Sequence, residues 1–131
     1  MDIYTDGASQ GNPGPSGAGI YIHTGSETLS RSIPLPEMNN HEAEFYAVRH
    51  ALELCQERYK GEILSFRSDS QIVIDSIEKE HAKNKDFAPV LRDILHLSKS
   101  FPYVFFKWIP EKQNGQADRL AREAIRKSCH L

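Results

Sequence analysis

The sequence predicts an α/β domain built on a five-stranded mixed sheet flanked by helices. Three observations predict it. Short runs of alternating apolar residues fill the first quarter of the chain. Longer stretches with apolar residues three and four positions apart follow. The resulting order is β-β-β-α-β-α-α-β-α. The first three strands can form an antiparallel meander. The fourth and fifth, each reached through helix, can lie parallel to the first.

The elements follow in order. Residues 2–8 read as a strand. Gly11-Asn12-Pro13-Gly14-Pro15-Ser16-Gly17 has the turn chemistry of a loop. Residues 18–23 alternate Ala18, Ile20 and Ile22 against Gly19, Tyr21 and His23, a second strand. Thr24-Gly25-Ser26 suits a hairpin turn into a third strand near 28–33, which Pro34 and Pro36 are expected to end. Asn39 or Asn40 can cap a helix running to about Tyr59, with Gly61 closing it. Residues 62–67 form the fourth strand. Ser68-Asp69-Ser70 starts a helix through about Glu80 with Val73, Ile74 and Ile77 apolar. After a short polar link, Val90, Leu91, Ile94 and Leu95 mark a helix at about 86–99. From Pro102 to Ile109, Val104, Phe106 and Trp108 alternate with Phe105, Lys107 and Ile109, a fifth strand in which Trp108 is read as packing. Asn114-Gly115 leads into a last helix with Ala117, Leu120, Ala121, Ala124 and Ile125 at helical spacing.

At 131 residues the chain reads as one domain, 1–131, with enough residues for a real core. It shows no basic and apolar leader pattern and no apolar run of bilayer length. The two cysteines, Cys55 and Cys129, make neither a disulfide framework nor a zinc spacing. A monomer in the reduced cytoplasm, without a membrane partner, is the expectation. The net charge of -2 argues against a general electrostatic sponge for nucleic acid, though not against a local basic surface.

Four carboxylates stand where a fold seldom puts charge. Asp6 interrupts the opening apolar run Ile3-Tyr4-Thr5, and Asp69 follows Ile63-Leu64-Ser65-Phe66. Glu44 heads the stripe Ala47, Val48, Ala51, Leu52 and Cys55, and Asp118 has Ala121 and Ile125 at i+3 and i+7. Taken singly, Asp69 is equally a helix cap, and Glu44 and Asp118 are first-turn acids. Asp6 resists such a reading, because Asp is depleted in strands. If the four segments pack together, their carboxylates meet at one edge of the core. Like charges that close need a cation, and hard oxygen ligands suit Mg²⁺ or Mn²⁺.

The stretch Tyr4-Thr5-Asp6-Gly7-Ala8-Ser9-Gln10-Gly11-Asn12-Pro13-Gly14 closely resembles the opening of type 1 ribonuclease H. Asn40-His41-Glu42-Ala43-Glu44-Phe45 is similar to that family's helix-borne glutamate motif. Arg67-Ser68-Asp69-Ser70-Gln71 is similar to its strand-end aspartate motif, and Asn114-Gly115-Gln116-Ala117-Asp118 to its terminal aspartate helix. The motifs keep the family's order and span nearly the whole chain. The resemblance implies a ribonuclease H-like fold and two-metal hydrolysis of the RNA strand of an RNA–DNA hybrid, or of another RNA-containing duplex. It makes Asp6, Glu44, Asp69 and Asp118 the catalytic, metal-binding carboxylates for two Mg²⁺ or Mn²⁺ ions. It makes Gly7, Asn12, Asn40, His41 and Gln71 the substrate contacts.

Two departures from the family pattern stand out. The loop Pro110-Glu111-Lys112-Gln113-Asn114 lacks the histidine that many members carry there. The link His81–Lys85 offers only Lys83 and Lys85 where several members have a basic protrusion. The alternative they suggest is a weakly active or non-catalytic nucleic-acid-binding relative.

Overall fold

The computed structural model describes residues 1–129, leaving aside the side chains of Ser128 and Cys129. The expectation that Cys129 forms no disulfide therefore lies outside the described residues. The sheet comprises β1 (Asp2–Ser9), β2 (Gly14–Thr24), β3 (Glu27–Met38), β4 (Leu64–Ser68) and β5 (Val104–Trp108), in the order β3-β2-β1-β4-β5. β1 pairs with β2 and β2 with β3 antiparallel, whereas β1–β4 and β4–β5 are parallel. The helices are α1 (Asn40–Arg58), α2 (Gln71–Lys79), α3 (Ala88–Ser98) and α4 (Gly115–Cys129). This is the mixed sheet that the sequence predicts.

Two strands are longer than expected. β3 runs through Pro34 and Pro36 to Met38 instead of ending at them. It is an edge strand, so a residue without an N–H can leave that position facing solvent. β2 begins at Gly14, inside the segment read as loop, and its extra turn of strand pairs with β1 as far as Ser9↔Ser16. The turn residues there are compatible with a ladder because Ser16 Oγ donates to the Gly14 and Met38 carbonyls at 2.8 and 3.1 Å.

Helices cover both faces of the sheet. α1, α2 and α3 bury Phe45, Val48, Leu52, Val73 and Ile94 against Ile3, Ile20, Ile22, Leu64 and Phe66. α4 lies on the opposite face, over β1, β2 and β3. Two glycines set how closely the helices approach. A Cβ on Gly7 would strike the backbone of α1 at Ala43 and Glu44, and one on Gly19 would strike α4 at the Ala117 carbonyl. Helix backbone therefore sits directly on strand backbone at both places, and both contacts lie beside carboxylates singled out above.

Trp108 does not pack into the core as its alternation suggested. It is 42% exposed, and its indole N–H donates to the Asp69 carbonyl at 3.2 Å. A half-exposed ring with a satisfied polar edge suits the end of an edge strand better than the interior. No helix among the described residues is long and apolar enough to cross a membrane.

Candidate active site

The pairing register explains how two of the acids meet. The parallel ladder between β1 and β4 ends at Tyr4↔Arg67. Beyond that pair the two strands part, and Asp6 and Asp69 each lie two residues further on. The gap opens at the carboxyl end of the parallel strands, where α/β sheets characteristically bind ligands. α1 enters the gap with Glu44 in its first turns. Its start is fixed by a capping box: Asn39 Oδ1 accepts from Glu42 N at 2.8 Å, and the Glu42 carboxylate accepts from Asn39 N at 3.3 Å. Gly7 lets Glu44 come down onto β1.

One carboxylate oxygen each from Asp6, Glu44 and Asp69 lies within 4.8 Å of the others. Asp118 lines the same cleft of about 370 Å³, with Gly7, Ala8, Asn40, Glu111 and Arg122. Its charge adds to the crowding that raises Asp6, and it pairs with Arg122 at 3.1 Å. The structure thus gathers three of the sequence-predicted acids tightly and sets the fourth at the rim.

Each acid is held by neighbours. His41 Nδ1 lies 3.5 Å from Glu44, and both His41 and the Ser70 hydroxyl favour the charged Glu44 carboxylate. Ser70, not Asp69, caps α2 by accepting from Val73 N, which leaves the Asp69 carboxylate free for the cleft. Asn114 and the Asp69 backbone act to lower the Asp69 carboxyl, against its burial. Asn114 is 1% exposed and donates to the Thr5 carbonyl at 2.9 Å, tying the start of α4 to β1. Its Oδ1 is buried without a partner.

The electrostatics are those of crowded acids. Burial, then the charges of Asp69, Glu44 and Asp118, push the Asp6 carboxyl up to about 9. Burial also raises Glu44, against the lowering effect of Ser70 and His41, and raises Asp69, against its hydrogen bonds. So dense a set of oxygen donors, with one acid holding its proton to such a high pH, fits a divalent cation: the ion would replace the protons that the site otherwise retains.

The expected substrate contacts divide. Asn12 and His41 line a neighbouring cleft of about 660 Å³ between the start of α1 and the segment after α2, with Lys79, His81 and Lys83, and Asn40 borders both clefts. Gly7 lies in the carboxylate cleft, where its missing side chain is already required by α1. Gln71 lines neither cleft, and its amide donates to Asp75 at 2.8 Å. Sequence reasoning missed Ser70 and Asn114 as supports of the acids. Asn114-Gly115 reads only as the lead into the last helix, and nothing in its pattern signals a buried amide.

Fold and site together define an α/β protein of the ribonuclease H-like class. A family model described as reverse transcriptase-like matches residues 4–124. The Enterococcus faecalis protein EbsB, which carries a provisional hydrolase name, is 42% identical over 97% of this chain and 95% of its own length. The ribonuclease H of Chlorobium chlorochromatii is 30% identical over 98% of this chain and 97% of that protein. The RNase H1 of Halobacterium salinarum superposes with a TM-score of 0.89 at 28% identity, covering 96% of this chain and 97% of that one. LC11-RNase H1, solved in complex with an RNA/DNA hybrid, superposes at 0.90 and 31% identity over 98% of both chains. The chain belongs to the type 1 ribonuclease H family.

Proposed function

We propose that this protein is a divalent-metal-dependent endoribonuclease that hydrolyses the RNA strand of RNA–DNA hybrids, leaving 5′-phosphate and 3′-hydroxyl ends. The observation that carries the reading is the meeting of Asp6, Glu44 and Asp69 within 4.8 Å at the parted ends of β1 and β4. The hybrid bound to LC11-RNase H1, which has the same fold at 31% identity, supports the substrate class.

Asp6, Glu44, Asp69 and Asp118 would hold Mg²⁺ or Mn²⁺. Two such ions, when bound, supply an activated water and charge neutralisation for an in-line displacement at phosphorus. The protein's own share is positional. Asp6 projects from β1 into the centre of the cleft, 8% exposed, and anchors the set. His41 faces Glu44 at 3.5 Å, and Ser70 and Asn114 favour the charged forms of Glu44 and Asp69. Arg122 pairs with Asp118 at the rim, where that carboxylate can move with less cost than the buried Asp6. Asn12, Asn40 and His41, in the adjoining cleft, are placed to meet the sugar edge of the RNA strand. There a 2′-hydroxyl distinguishes RNA from DNA without base reading.

A second reading, binding with slow turnover, is favoured by one observation. The loop that lacks histidine puts Glu111 in the carboxylate cleft, adding a fifth acid. Purified protein with end-labelled hybrid, double-stranded RNA and single strands, each with Mg²⁺, Mn²⁺ or EDTA, separates the two. Metal-dependent cleavage confined to the hybrid is the expected result. Tight hybrid binding without cleavage in either metal establishes the second reading.

A further inference from the structure

The sheet face that carries α4 is only partly covered. α4 packs over β1, β2 and β3, and among the described residues Phe105 and Lys107, on the same face of β5, are exposed. Phe105 on β5 is 57% exposed and the preceding Tyr103 63%, their rings stacked at 6.3 Å and 11°. The register aligns Lys107, Arg67, Tyr4 and Tyr21 in one row across β5, β4, β1 and β2. The Arg67 guanidinium lies 5.5 Å from the centre of the Tyr4 ring, and Tyr4 is 6.1 Å from Tyr21. Where the row meets the start of α4, a cleft of about 730 Å³ opens, with Arg119 in its lining.

We propose that this open face is a second nucleic-acid site, which stacks unpaired bases of a single strand on its aromatic rings and holds their phosphates with Lys107, Arg67 and Arg119. Aromatic rings on an exposed sheet, interleaved with cations, are the platform on which single strands bind without base readout. Lys107 has no ion pair among the described residues and is the cation free to meet a phosphate, whereas Arg67 is paired with Asp2 at 2.7 Å and Arg119 with Glu123 at 2.8 Å, so a phosphate would have to compete with those two acids. A protein partner would be expected to meet fewer charges at the centre of its contact.

The position extends the catalytic reading, on which this step rests. Tyr4 and Arg67 close the parallel ladder two residues before Asp6 and Asp69. About 6–7 Å of strand therefore separates the row from the carboxylates. A single-stranded flank leaving a duplex in the carboxylate cleft would pass onto the row, so substrates with an overhang would be held better than blunt ones.

The test uses fluorescently labelled ten-nucleotide strands, oligo-U and oligo-dT, titrated by anisotropy in EDTA at low and moderate salt. Wild type and Asp6→Asn should bind equally, weakened by salt. Phe105→Ala and Lys107→Glu, both at exposed positions, should each weaken binding about fivefold or more. Equal affinity for the two strands identifies a backbone-and-stacking site, and a preference for oligo-U identifies one that also contacts the 2′-hydroxyl. No binding by wild type overturns the proposal. So does binding that survives both substitutions but falls in Asp6→Asn, because the strand then sits in the carboxylate cleft. So does a concentration-dependent dimer in sedimentation that Phe105→Ala dissolves, because the face then belongs to a second copy. Cleavage of a blunt hybrid by wild type tests the catalytic reading separately, since single-strand binding can hold when that cleavage is absent.

Discussion

Asp6 sets the pH response of the metal-free protein. Its carboxyl is raised from 3.8 to about 9, by burial first and by Asp69, Glu44 and Asp118 next. A raised acid contributes stability that is complete below its unfolded value and is lost as the pH climbs through its folded one. Glu44 and Asp69 are shifted the same way. In EDTA the melting temperature should therefore fall between about pH 4 and pH 9, and Asp6→Asn should flatten that fall. An equally steep fall in the variant would remove Asp6 as its source. In the proposed mechanism the same residues govern turnover. Asp6→Asn, Glu44→Gln and Asp69→Asn should each lower hybrid cleavage by at least about a hundredfold. Asp118→Asn should lower it less, because Asp118 is 30% exposed and braced by Arg122. Single-turnover rates on labelled hybrid rank the four. The apolar patterns around the four acids draw notice in the sequence, and the structure brings Asp6, Glu44 and Asp69 together with Asp118 at the rim. Ser70 and Asn114 were not legible there, because a hydroxyl or amide that supports an acid looks like any cap or turn residue.

At the level of elements, the site depends on how closely α1 sits on β1. Gly7→Ala drives a methyl into the backbone of Ala43 and Glu44, and no side-chain rotation relieves a clash with backbone. Overpacking of this kind costs about 1–3 kcal/mol. Urea unfolding should show that loss, and cleavage should fall further than stability alone explains, because Glu44 is lifted from the other acids. Wild-type cleavage in a destabilised Gly7→Ala would mean that α1 tolerates a larger gap. Asn39→Ala removes half of the capping box and should cost about 1 kcal/mol in the same experiment. Helix starts and the mixed order of strands could be read from caps and periodicity. Strand ends could not. Pro34 and Pro36 looked like stops because sequence does not reveal that β3 lies at an edge. Gly14–Gly17 looked like loop because its partner across the ladder, β1, supplies the order. Trp108 alternated like a core residue, yet its place at the end of β5 leaves it half in solvent.

For the whole molecule, a cation at the carboxylates should act as a clamp among three separate segments, β1, α1 and the turn after β4. Ions that bind only the folded chain raise its stability by mass action, by about 2.7 kcal/mol at a hundredfold excess over Kd. Saturating Mn²⁺ should raise the wild-type melting temperature by several degrees and leave that of Asp6→Asn nearly unchanged. Equal shifts in both proteins would place the ion elsewhere. Cys55 offers an independent gauge of the same stability. It lies wholly buried on the core-facing side of α1, and burial pushes its thiol up to about 12. A thiol in that state reacts only during moments when the core opens. With Cys129 replaced by serine, the rate at which a thiol reagent labels the chain becomes a clock for those openings, readable in plain buffer without denaturant.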